Sequence, residues 1–250
     1  MKYNEITHLS HPRHKLRLNY TNIPFKCNGC KEIGIGSHYN CSSSCDFDLH
    51  THCAIPKPSI SHPFYTECSF QFLSQPPGTI ERNCNACEKR VTGFLYHCRK
   101  CGFDLHPCCA RLPMVLVDDH QGKVKLNLFE KVSSKCQRCG KKGQSWSYRS
   151  SCNRYSLHVA CVKEMLVERW HENEITRVPL NLKEILQIDH DKDDDDDDDD
   201  GNKKGKKKKK KGKNKFSEMA GIAFQFILSA ILGDPTALIV GVVATLVSKS

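Results

Sequence analysis

Apolar residues are scarce in this chain: only 38% of its 250 residues are hydrophobic, which argues against one large oily core. The opening Met1-Lys2-Tyr3-Asn4-Glu5 holds no apolar signal segment, so a secreted, disulfide-bonded protein is not expected. A phosphate-binding glycine loop, a nucleophile elbow and a His-Glu-x-x-His metalloprotease motif are all missing. These absences count against a compact enzyme with buried catalytic machinery, and the chain reads as non-enzymatic.

What the chain has instead is 16 cysteines and 13 histidines, and all of them except His190 precede residue 172. That density marks a scaffold stapled by disulfides or metal. Outside the secretory route, metal binding or catalysis is the commoner use of cysteine.

Aligned on its histidines, the sequence repeats. The first unit reads Cys27-x2-Cys30, Cys41-x3-Cys45 and His50-x2-Cys53, and the second Cys84-x2-Cys87, Cys98-x2-Cys101 and His106-x2-Cys109. Cys45-Asp46-Phe47-Asp48-Leu49-His50 matches Cys101-Gly102-Phe103-Asp104-Leu105-His106. A third unit keeps Cys136-x2-Cys139 and Tyr155-Ser156-Leu157-His158-x2-Cys161. A period of roughly 55 residues indicates an array of small modules. A C-x2-C turn points two thiolates at one ion about 2.3 Å away, and a distant His-x2-Cys completes a zinc tetrahedron. Two interleaved pairs in one module imply two ions with crossed ligands. Free buried cysteine, the bland alternative, does not produce such a register.

This ligand order resembles the C1 domain, and more closely the plant divergent C1 (cysteine/histidine-rich C1) family. The matching residues are His14-x12-Cys27-x2-Cys30, Tyr39 and Tyr96 ahead of the second pairs, and the Phe-Asp-Leu-His-x2-Cys-Ala runs ending at Ala54 and Ala110. RING fingers place their histidine elsewhere in the order. The resemblance covers roughly residues 8 to 171. It implies small β-rich, zinc-stapled modules, each with a short C-terminal helix: repeat 1 over 8–62, repeat 2 over 63–120 and a degenerate repeat 3 over 121–175. A disordered charged linker (189–215) and a hydrophobic helical tail (216–250) would follow.

The family's crossed arrangement implies one site per repeat from Cys27, Cys30, His50 and Cys53; from Cys84, Cys87, His106 and Cys109; and from Cys136, Cys139, His158 and Cys161. The other site takes an upstream opener, the second pair and a downstream closer: His14, Cys41, Cys45 and His62 in repeat 1. His8 and His11 are rival openers. Strand periodicity checks the opener, because His14 precedes Leu16 and Leu18 as Cys68 precedes Phe70 and Phe72, two residues apart on one face. Repeat 2 is therefore assigned Cys68, Cys98, Cys101 and His120. In repeat 3 the pair Leu126 and Leu128 puts Val124 at the opener, and Ser150 and Asn153 stand where the second pair belongs. That site is expected to be lost, giving about five Zn2+ per chain, with a distorted sixth through Cys152 and His171 as the minority alternative. Cys108 reads as a spare buried thiol, and Trp146 and Trp170 as core. Sites with four protein ligands leave no open position, so the zinc is structural.

Lipid-binding C1 domains carry a longer loop between their zinc pairs, usually with Gln-Gly. Here the loops are Lys31 to Asn40 and Glu88 to His97, ten residues without Gln-Gly, so diacylglycerol is not expected as a ligand.

Ten aspartates from Asp189 to Asp200 and ten lysines from Lys203 to Lys215 form a run that buries nothing. Beyond it, 222–232 and 237–247 are apolar, interrupted by Gly233-Asp234-Pro235-Thr236. Each 11-residue half is too short to span a bilayer of about 30 Å, and the lysines favour an anionic cytosolic membrane face. The tail reads as a kinked anchor, a re-entrant hairpin or helices packing on a partner. The expected function is a membrane-tethered adaptor for protein partners, in intracellular signalling or stress response as the resemblance implies. A nuclear or cytoplasmic zinc finger that binds nucleic acid or protein is the alternative, motivated by a net charge of about +10 over residues 1–188.

Overall fold

The structure, a computed structural model, describes residues 4–43, 45–117, 125–131, 134–143, 145–151, 155–176, 227 and 230–232. The charged run and most of the tail lie outside them.

Among the described residues, twelve strands form three four-stranded antiparallel sheets, each a plain meander. The first holds β1 (Glu5–His8), β2 (His11–Lys26), β3 (Ile33–Cys41) and β4 (Asp48–His50), followed by the one-turn helix α1 (Thr51–Ala54). The second holds β5 (Ser59–His62), β6 (Tyr65–Leu73), β7 (Leu95–His97) and β8 (Asp104–Leu105), followed by a 3-10 turn at Cys109–Arg111. The third holds β9 (Val115–Val117), β10 (Lys125–Phe129), β11 (Ser147–Ser150) and β12 (Ser156–His158), and runs into α2 (Val159–Thr176). That last helix has 18 residues, far longer than the short helix expected.

The units coincide in register. Ile6 faces Leu16, Ile60 faces Phe70 and Leu116 faces Leu126 in the first hairpins. Leu18, Phe72 and Leu128 face Tyr39, Tyr96 and Tyr148, and those tyrosines face Leu49, Leu105 and Leu157 on the strand that leads into the histidine. Alternation at period two puts these side chains on one face, where Leu16, Phe70, Leu126, Leu49, Leu105 and Tyr148 are fully buried. Three such short sheets cannot each bury a self-sufficient core.

The units solve this by stacking. In the first C-x2-C turn the Gly29 carbonyl accepts a hydrogen bond from Phe94 N at 3.0 Å, and in the second the Ala86 carbonyl accepts one from Trp146 N at 2.8 Å. Phe94 and Cys108 of the second unit thereby join the core of the first. Trp146 of the third joins the core of the second, stacked on His62 with centroids 4.4 Å apart. The described tail residues Ile227, Ile231 and Leu232 are buried in that same core. No helix among the described residues is long and apolar enough to cross a membrane.

Candidate metal centres

Each C-x2-C pair sits in a tight turn that the backbone dictates. Cys27 N donates to Glu32 O and Lys31 N to Cys27 O; Cys84 N to Lys89 O and Glu88 N to Cys84 O; Cys136 N to Lys141 O and Gly140 N to Cys136 O. The residue after the second cysteine lies in the left-handed region each time, with φ of 67°, 58° and 67° at Lys31, Glu88 and Gly140. The residue after the first cysteine clamps the turn to the histidine-bearing strand. Asn28 Oδ1 accepts from Asp48 N, Asn85 Oδ1 from Asp104 N and Gln137 Oε1 from Ser156 N, at 2.8, 2.8 and 2.6 Å. This amide clamp was readable as a polar residue recurring at one position, and the sequence reasoning passed over it.

The turns deliver their thiols to histidines from β4, the β8 end and β12. Cys27, Cys30, His50 and Cys53 come together, as do Cys84, Cys87, His106 and Cys109, and Cys136, Cys139, His158 and Cys161. The first two quartets are wholly buried, and in the third only Cys139 is exposed.

Their dimensions test whether a tetrahedral ion fits. Zinc–sulfur and zinc–nitrogen bonds of about 2.3 and 2.05 Å at a tetrahedral angle give S···S edges near ~3.8 Å, S···N edges near ~3.6 Å and N···N edges near ~3.3 Å. Cys136 and Cys161 Sγ are 3.8 Å apart. His158 Nδ1 lies 3.4 Å from Cys139 Sγ and 3.6 Å from Cys161 Sγ. His50 Nδ1 lies 3.4 and 3.9 Å from Cys30 and Cys53 Sγ, and His106 Nδ1 3.4 Å from Cys87 Sγ. The donor sets fit zinc, which would be held by three thiolates and one Nδ1 in each quartet.

A further quartet contains His11, His14, Cys41 and Cys45. Its edges are 3.3 Å for His11 Nε2 to Cys41, 3.2 Å for His14 Nδ1 to Cys45 and 3.3 Å between the two histidine nitrogens. This corrects the ligand set: His11 fills the place expected of His62. The reason is topological. His62 ends β5 across from Tyr65 just as His8 ends β1 across from His11, so it belongs to the second unit's hairpin. There it stacks on Trp146, and its Nδ1 accepts from Phe64 N at 3.3 Å. Burial lowers its pKa to about 4.

In the second unit Cys68 and Cys101 Sγ lie 2.9 Å apart, with the Cys98 thiol within hydrogen-bonding reach of both. Tyr65 occupies the position that His11 holds in the first unit, and the expected fourth ligand His120 is outside the described residues. In the third unit Ser150 faces Leu126 as Cys41 faces Leu16, so a hydroxyl stands where a thiol would be needed. Val124, Cys152, Asn153 and the side chain of His171 are outside the described residues.

The histidines' outer nitrogens differ. His50 Nε2 and His158 Nε2 are buried without a hydrogen-bond partner, against Gly34 and Gly143. His106 Nε2 has partners, Glu32 Oε1 of the first unit at 3.0 Å and the Arg90 carbonyl at 3.2 Å. Glu32 Oε2 in turn pairs at 2.5 Å with Lys163 Nζ from α2. That buried ammonium also donates to Cys87 Sγ at 3.4 Å and Cys109 Sγ at 3.6 Å. Burial opposes its charge, but Cys109, Cys87 and Glu32 outweigh burial and raise its pKa well above the usual lysine value. None of these cross-unit partners was foreseen from the sequence.

Closed Cys3His and Cys2His2 clusters in stacked β-meanders define a class of small cysteine/histidine-rich, metal-stapled modules. The family model of the C1 domain matches the chain at residues 9–54 and again at 61–110. The matched segments cover most of the first two units, which are therefore C1-like, and the third unit lies outside them. No curated protein and no solved structure matches the chain.

Proposed function

We propose that the chain is a non-enzymatic zinc-stapled adaptor, three C1-like modules (the third degenerate) stacked into one rigid platform for protein partners. The observation that carries this is the closure of the four-donor clusters. With every coordination position taken by a side chain and the ligands largely buried, an ion there staples the fold and has no position for substrate. Binding worth roughly 10–16 kcal/mol per structural zinc supplies what small sheets cannot. The exposed loops between ligands are then preorganised for a partner at low entropic cost. A role in signalling or stress response follows from the family resemblance alone. Elemental analysis of the purified full-length chain tests the reading: about five zinc ions per chain are expected, and two or fewer would sink the double-site arrangement.

Membrane tethering through Lys203–Lys215 and the apolar runs after it is a separate part of the proposal. It competes with a specific observation, the burial of Ile227, Ile231 and Leu232 against the modules, which favours a tail folded onto the array. Extraction of cell membranes with alkaline carbonate separates the two. Full-length protein retained in the pellet supports a tether; full recovery in the supernatant supports the docked tail.

A further inference from the structure

The first metal centre has more donors around it than an ion needs. Cys108, from the second unit, places its Sγ 4.0 Å from Cys30 Sγ and 3.6 Å from His50 Nδ1, each about one tetrahedral edge away. Its thiol is buried and 3.3 Å from His52 Nε2, and His52 is stacked on His50 with centroids 4.9 Å apart. Cys108, His52 and His50 therefore form a donor cluster that overlaps the quartet of Cys27, Cys30, His50 and Cys53. Beside it is a cavity of about 20 Å³ lined by Cys108, Glu32 and Lys163, room for roughly one water-sized movement.

We propose that Cys108 is an exchangeable fifth donor of the first centre, delivered across the unit boundary, and that it completes an all-thiolate set with Cys27, Cys30 and Cys53 for a thiophilic ion such as Cd2+. The exchange breaks one metal–nitrogen bond, to His50 Nδ1, and forms one metal–sulfur bond. The Cys108 proton passes to His50 Nδ1, 3.6 Å away, as that nitrogen leaves the metal. A soft ion gains more from a fourth sulfur than zinc does, because zinc accepts imidazole and thiolate with similar ease. The second centre is the internal contrast. The neighbouring unit caps it with Lys163 Nζ, 3.4–3.6 Å from Cys87 and Cys109, and an ammonium donates hydrogen bonds but has no lone pair for a metal. Among the described residues, only the first centre can reach four sulfurs.

The inference rests on the metal-array reading, and one measurement separates their failures. 113Cd NMR of the full-length chain reports the number of thiolates on each ion. The expected wild-type spectrum contains one four-sulfur resonance beside three-sulfur ones and the two-sulfur one of His11, His14, Cys41 and Cys45. Cys108→Ser should convert that resonance to the three-sulfur type, leave the others in place, and lower the Cd2+-over-Zn2+ preference of that centre about tenfold or more. The unmoved resonances show that the variant has folded. A wild-type spectrum with no four-sulfur resonance but with the three-sulfur and two-sulfur ones present, which requires no variant, overturns the role of Cys108 and leaves the array intact. A chain that takes up no ion at Cys27, Cys30, His50 and Cys53 overturns both.

Discussion

A metal-binding histidine is held from both sides, and the outer side is where single residues decide. A Cβ built on Gly34 would lie 2.2 Å from His50 Nε2, and one on Gly143 only 1.9 Å from His158 Nε2. The second unit carries Val91 at the same distance from its C-x2-C pair, and there His106 Nε2 is taken up by Glu32 and the Arg90 carbonyl. Glycine is thus required where no polar partner exists, because the backbone itself walls the ring. Gly143→Ala is expected to push the His158 ring out of position and to weaken metal binding at the third unit by 10- to 100-fold, the usual cost of losing outer support for a ligand. Chelator competition checks it, with Gly78→Ala as control. A Cβ there meets nothing within 4 Å, so its left-handed φ costs stability, about 1 kcal/mol, and should leave metal affinity unchanged. The ligand residues could be read in sequence because spacing records coordination chemistry directly. Gly34 and Gly143 could not, because a glycine's role here is the absence of an atom.

Among the elements, the β5–β6 hairpin shows how a repeat can mislead. Counting from the zinc pairs puts His62 downstream of the first unit, as its closer, whereas strand pairing puts it at the end of β5 in the second. In place of a metal, His62 meets the fully buried Trp146 of the third unit and accepts from Phe64 N, a bond only the neutral ring can make. Its pKa, lowered by burial to about 4 in the fold, rises to near 6.5 when unfolded. Between these values the unfolded chain binds the extra proton, so stability falls as pH drops from about 6.5 to about 4, by on the order of 2 kcal/mol. Replacing His62 by Phe should flatten that part of the pH–stability curve while zinc content at neutral pH stays the same. A curve as steep as wild type would show that acid acts only on the ligands. The strands were legible because openers and apolar pairs alternate at period two, and the equivalence of Leu16–Leu18, Phe70–Phe72 and Leu126–Leu128 appears again as register. The 18-residue length of α2 was not, since it answers to the neighbouring unit: Lys163 reaches Glu32 and the second centre, and Glu164 pairs with Lys89.

At the scale of the whole molecule, each unit is finished by the next. The first receives Phe94 and Cys108 from the second, and the second receives Trp146 and Lys163 from the third. At the third unit's own turn, Arg138 instead pairs with Glu168 of α2 at 2.8 Å, a polar closure of the kind that terminates a stacked array. The contacts also run backward, because Glu32 of the first unit orients His106 and neutralises Lys163. Metal affinity at the second centre is therefore a property of three units together. Removing Glu32 leaves His106 Nε2 with only the Arg90 carbonyl and the Lys163 ammonium with only the sulfurs of Cys87 and Cys109, and breaking such a buried ion pair costs several kcal/mol. Glu32→Ala is accordingly expected to weaken zinc binding at Cys84, Cys87, His106 and Cys109 by at least 10-fold, although it alters no residue of that unit. Lys163→Met, which removes the charge that Glu32 balances, should restore most of the stability lost in Glu32→Ala when the two are combined. Native mass spectrometry during stepwise chelation, with thiol alkylation to identify which cysteines open first, reads both effects. Independent loss of metal from each unit, with the double variant no better than the single, would mean that the units are only neighbours in sequence.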